Sequence, residues 1–108
     1  MKYIKLDSVR AFPDARANKE QAVKVLEEAA EVFGAWQVRE SYDTETIGEI
    51  YTPEQCMSIR AINDGNLLDE LADTIQACCN LASALGVTDL TPYLARCEER
   101  NRKRGRYE

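Results

Sequence analysis

Apolar residues recur at helical spacing along three stretches of this chain. Ala22, Leu26, Ala29, Phe33 and Trp36 make one stripe, which predicts a helix running to about Tyr42. Asn18 stands where an N-cap belongs, and Gln21 three residues later completes a capping-box pattern. Leu68, Leu71, Ile75, Cys79, Ala82 and Leu85 make a second stripe, with Asn66 as its predicted cap and Gly86 as its stop. Thr91-Pro92 opens a third helix, which carries Leu94 and Cys97 and ends at Gly105. Between the first two, Thr52-Pro53-Glu54-Gln55 reads as a strong helix start: Thr as cap, Pro in the first turn, Gln three residues after the cap. That short helix is expected to reach Ile62 and stop at Asn63-Asp64-Gly65. Asp43 to Tyr51 lacks the period and is expected to be loop. Residues 1–17, punctuated by Pro13, are expected to be irregular or a short strand.

The pattern predicts an all-α, single-domain chain over residues 1–108, with an irregular N-terminal segment and a basic tail from 96 to 108. Three useful helices and a short one are too few to fill a four-helix bundle. A helical bundle completed by oligomerisation, as a homodimer or homotetramer, is the expected solution. The chain has 44% hydrophobic and 31% charged residues, with three prolines and five glycines, an ordinary globular balance. Met1 to Arg10 has no apolar core of a signal peptide. The most apolar stretch, Leu67 to Val87, carries Glu70, Asp73, Gln76 and Asn80, so no membrane span is expected. Cys56, Cys78, Cys79 and Cys97 contain no CxxC and read as small buried apolar residues of a reducing, cytoplasmic compartment.

Two absences narrow the chemistry. There is no histidine, which excludes Ser-His-Asp and Cys-His catalysis, His-bearing zinc sites and the Glu-x-x-His pattern of di-iron bundles. Any metal site must use carboxylate and amide oxygens, which suit Mg²⁺ or Mn²⁺. The net charge of −5 is unevenly distributed: residues 96–106 carry +4, whereas residues 1–95 carry −8. An acidic body is a poor nucleic-acid binder, but beside a basic tail it is able to hold a cation and a polyphosphate together.

The acidic residues form two patterns, Glu27-Glu28-Ala-Ala-Glu31 and Glu70-Leu-Ala-Asp73. At about 100° per residue, Glu28 and Glu31 sit about 60° apart and point away from the Leu26 stripe, as Glu70 and Asp73 do from the Leu68 stripe. Each pair is a two-carboxylate claw. Acids at this spacing more often form a solvated face, and those of Asp69, Glu70 and Asp73 near a helix start favour the macrodipole. Against that, no charge follows Asp73 until after Thr88, and the acidic face continues through Ala77, Asn80 and Ala84, small or amide residues that leave room for a ligand or a close helix. On the first helix Ala35 continues it likewise. If the claws face each other, six like-charge pairs at 5–6 Å cost roughly 3 kcal/mol each at an effective dielectric near 20. That sum rivals a domain's whole stability of about 5–15 kcal/mol, so facing claws require cations, raised pKa values, or both.

Glu28-x-x-Glu31 followed by Glu70-x-x-Asp73 resembles the ExxE…ExxD signature of the MazG-like all-α nucleotide pyrophosphohydrolases, which include the dimeric dUTPases. Lys24-Val-Leu-Glu-Glu-Ala-Ala-Glu-Val-Phe-Gly-Ala-Trp36 is similar to their first metal helix, and Leu68-Asp-Glu-Leu-Ala-Asp-Thr-Ile75 to the second. Arg100-Asn101-x-x-Arg104-Gly105 resembles the segment that commonly closes such chains. The likeness covers roughly residues 22–106; the 38 residues between Glu31 and Glu70 exceed what compact members place there. It implies Mg²⁺-dependent hydrolysis of a nucleoside triphosphate to a monophosphate and pyrophosphate, for house-cleaning or pool control. It carries metal ligation onto Glu28, Glu31, Glu70 and Asp73, with Glu27 as a supporting ligand or water-orienting base. Candidate substrate contacts are Lys24, Trp36 (stacking on a base), Asn80, and Arg100, Asn101, Lys103 and Arg104 (gripping phosphates). The competing expectation is a non-catalytic helical adaptor, or a nucleotide-binding protein of the same fold.

Overall fold

The computed structural model describes residues 2–108 and is all-α, with no strand among those residues. Helix α1 spans Lys19–Ser41, α2 Thr44–Ile50, α3 Pro53–Ala84 and α4 Thr91–Lys103. None is long and apolar enough to cross a membrane. Capping chemistry sets three of the starts. Asn18 Oδ1 accepts from Gln21 N at 2.9 Å, and Thr52 and Gln55 form a reciprocal capping box ahead of Pro53. Asp43 caps α2 by accepting from both the amide and the hydroxyl of Thr46. Gly86, at φ 85°, ends the α3 region in the left-handed conformation that glycine adopts without penalty.

Two expectations are corrected here. Residues 44–50 are helical, because Asp43 caps them and Ile47, 2% exposed, docks on α3. One apolar anchor in seven residues leaves no period to read. The predicted stop at Asn63-Asp64-Gly65 does not exist either: α3 is one continuous helix of 32 residues. Helical Gly costs only about 1 kcal/mol relative to Ala, and Asn63 is buried within the helix rather than ending it. Asp64 meets Arg39 of α1 at 2.5 Å, an exposed pair of small energetic weight.

The core is the seam between α1 and α3. On α1 the covered positions include Gln21, Val25, Glu28, Val32 and Ala35, and on α3 they include Cys56, Asn63, Leu67, Glu70, Thr74, Ala77 and Leu81. Both sets alternate steps of three and four, or their sums, the spacing of helices packed lengthwise. The largest side chains of the apolar stripes lie outside it, with Leu26 69% exposed, Phe33 61%, Leu68 63% and Leu85 66%, whereas Ile75, Cys79 and Ala82 are partly covered. The cysteines follow suit. Cys56 is buried, with its Sγ near the Ile47 carbonyl, but Cys78 and Cys97 are exposed, contrary to the expectation of four buried thiols.

The chain is open. It exposes 8930 Å², against about 6100 Å² for a compact monomer of its mass. Its radius of gyration is 17.8 Å, against about 13 Å for a compact domain of this length. Helix α4 packs on none of the other three helices. Residues 2–17 are irregular, with a turn at Pro13-Asp14.

Candidate functional site

The seam brings the two claws together. Glu28, on α1, and Glu70 and Asp73, on α3, each offer a carboxylate oxygen within 4.8 Å of the others. Glu31 stands outside that group of three but near enough for its charge to act on both Glu28 and Glu70. The helical period dictates this arrangement: Glu28 lies on the face of Val25 and Val32, and Glu70 on that of Leu67 and Thr74, so closing the helix pair brings these two together with Glu31 and Asp73 at the exposed edge.

The electrostatic consequence appears at two residues. Glu28 has its pKa raised, first by a hydrogen bond shared with Glu31, then by desolvation and by the charges of Glu31, Asp73 and Glu70. Glu70 is raised first by desolvation, then by the Glu31 charge. Each of these causes disfavours the charged form of the carboxyl. One oxygen of each of these residues, Oε2, is buried with no hydrogen-bond partner. Such atoms are rare in folded proteins because the lost bond costs about 1–3 kcal/mol or more.

A cleft of about 440 Å³ adjoins the cluster. Glu28 and Asp73 belong to both; Gln21 and Lys24 of α1, and Gln76, Ala77 and Asn80 of α3, continue its walls, and Phe12, Asp14 and Ala15 close one side. Ala77 and Asn80, the small and amide continuations of the acidic face, are both buried. Asn80 Oδ1 accepts from Phe12 N at 3.0 Å and from Gln76 Nε2 at 2.9 Å.

The remaining candidates lie elsewhere. Glu27 is outside the cluster, ion-paired with Lys24 at 3.3 Å on an exposed surface. Trp36 is not in the cleft, and the Arg39 guanidinium lies over its ring at 5.1 Å. Arg100, Asn101, Lys103 and Arg104 sit on α4 and its cap, which does not approach the α1–α3 seam within one chain. Sequence reading missed Phe12, Asp14, Ala15, Gln21 and Gln76. Gln76 follows Asp73 by three residues and precedes Asn80 by four, a spacing that signals a polar strip. The N-terminal residues carry no periodic signal.

No protein-family model, curated protein or solved structure matches this chain.

Proposed function

We propose that this chain is a divalent-metal-dependent nucleoside triphosphate pyrophosphohydrolase that works as a homo-oligomer. The observation supporting it most is the facing of two carboxylate claws across a helix seam, with a buried, unpartnered oxygen on each side, beside a cleft large enough for a nucleoside.

The donor set fits a hard cation. Glu28, Glu70 and Asp73 would hold Mg²⁺ or Mn²⁺, with Glu31 beside them, and the orphaned Glu28 and Glu70 oxygens would gain the partner they lack. When bound, the cation neutralises charge on phosphate oxygens and organises the water and the anhydride. The chain supplies the rest. The four carboxylates would fix where the cation sits and so where phosphates could be drawn, and the half-buried seam keeps bulk water from one side. A carboxylate of the cluster without a direct role as ligand is placed to accept the proton of the attacking water. The α–β anhydride breaks and the bond to water oxygen forms, giving a monophosphate and pyrophosphate.

A second copy of the chain supports this reading in two ways. The exposed Leu26, Phe33, Leu68 and Leu85 stripes form the kind of surface that association covers. A partner's α4 would also bring cations equivalent to Arg100, Lys103 and Arg104 towards the phosphates, a role that α4 does not fill within its own chain. A helical adaptor using the claws as a docking surface fits less well, because the claws face each other rather than outwards.

Pyrophosphate release, screened over standard and modified nucleoside triphosphates, tests the proposal. Turnover with Mg²⁺ or Mn²⁺, abolished by EDTA and restored on metal return, is the expected result. Turnover in metal-free buffer, or none with any substrate, would reject it.

A further inference from the structure

One wall of the cleft belongs to no helix. Residues 10–15 run along α3 and are held there by two of its side chains. Asn80 Oδ1 accepts from Phe12 N, and Gln76 Nε2 donates both to Arg10 O and to Asn80 Oδ1, each at 2.9 Å. Asn80 is only 3% exposed, so losing these partners would strand polar groups in a low-dielectric setting. The Phe12 amide can only donate, which fixes the orientation of the Asn80 amide.

The tether has a visible effect. It holds Phe12 on the cleft wall by its backbone while leaving the residue 55% exposed. An uncovered ring on a fixed backbone is a platform on which a flat heteroaromatic group stacks. The same cleft is also lined by Glu28 and Asp73 of the acidic cluster. A molecule gripped there through its phosphates would share the cleft with Phe12. The cleft volume, about 440 Å³, lies in the range of roughly 300–1000 Å³ that takes small organic ligands.

We propose that residues 10–15 are the nucleoside-binding wall of the site, with Phe12 stacking on the base and Asn80 as the positioning residue that holds the wall against α3. The proposal rests on the cluster being the polyphosphate end. It moves base recognition from Trp36, which lies beneath Arg39, to a segment with no periodic pattern.

The test compares two probes in the presence of Mg²⁺, a non-hydrolysable α,β-imido deoxynucleoside triphosphate and inorganic tripolyphosphate. Only the first has a nucleoside. Phe12→Ala is expected to weaken the nucleotide analogue about tenfold and to leave tripolyphosphate within about twofold. Asn80→Ala is expected to do the same and to speed amide exchange across residues 10–15. Asn80→Asp keeps an acceptor for Phe12 N and is expected to restore that protection. If Asn80→Ala fails to fold, the exposed Phe12→Ala change still decides the matter. Equal binding of the analogue by wild type and Phe12→Ala would overturn the proposal while leaving the metal–polyphosphate reading intact. Wild type binding neither probe would overturn both.

Discussion

The two long helices differ on their inner and outer faces: the inner one mixes carboxylates and amides with apolar residues, and the outer one carries large apolar side chains in solvent. Along the seam, α1 and α3 meet through Val25, Val32, Thr74 and Ala77 interleaved with Glu28, Glu70, Asn63 and Asn80. On their outer faces Leu26, Phe33, Leu68 and Leu85 stand in solvent. A chain built only for its own stability would reverse this, since apolar burial contributes about 25 cal/mol per Å² and facing carboxylates repel. The seam holds like charges close together, and the outer faces leave large apolar side chains uncovered.

The largest effect is expected from attacking the outer face. Leu26→Asp combined with Phe33→Asp should abolish self-association and, with it, most of the folded population. The expectation is a monomeric, largely unfolded species in light scattering and far-ultraviolet circular dichroism. If the stripes were merely solvent-exposed, each change would matter by no more than about 0.5 kcal/mol and the melting curve would stay in place.

The inner face predicts the opposite sign. Glu31→Gln and Asp73→Asn each remove one like charge from the cluster with little change of volume. Each should abolish hydrolysis yet raise the metal-free melting temperature by several degrees, on the scale of about 4–8 °C per kcal/mol for a domain of this size. Added Mg²⁺ should then stabilise the variants less than the wild type. Thermal melts with and without the metal check both halves. Unchanged melting and retained turnover would show that the carboxylates do not act as one site.

The smallest effect sharpens the description of the seam itself. Gly65 lies inside α3, and a Cβ added there would meet nothing within 4 Å. Gly65→Ala should therefore stabilise by about 0.4–1 kcal/mol in a denaturant titration. If the helix ended at Gly65, the same change would destabilise.

The sequence revealed most where a local rule acts alone. Asn18, Thr52-Pro53 and Gly86 mark real helix boundaries because capping and left-handed glycine need no tertiary context. The claws were legible as a pair of faces because helical period fixes which side chains share a side. Three features were not legible. Helix α2 rests on Ile47, a single anchor whose burial depends on α3. The continuity of α3 through Asn63-Asp64-Gly65 depends on packing that outweighs a modest propensity cost. The docking of residues 10–15 depends on Gln76 and Asn80, more than sixty residues away. The apolar stripes were identified as helix faces, but the period alone could not say which face would meet the neighbouring helix.

The tether also bears on the order in which the molecule assembles. Phe12 and Asn80 are 68 positions apart, and closing a loop of that length from the unfolded chain costs about 4 kcal/mol in entropy. Once α1 and α3 have zipped into a hairpin, the loop left to close is only the few residues between Phe12 and Lys19. Loop entropy therefore favours an order in which the hairpin forms first and residues 10–15 dock on it afterwards. In that order the carboxylate seam exists as soon as the hairpin does, and residues 10–15 are the last part of the cleft wall to be added.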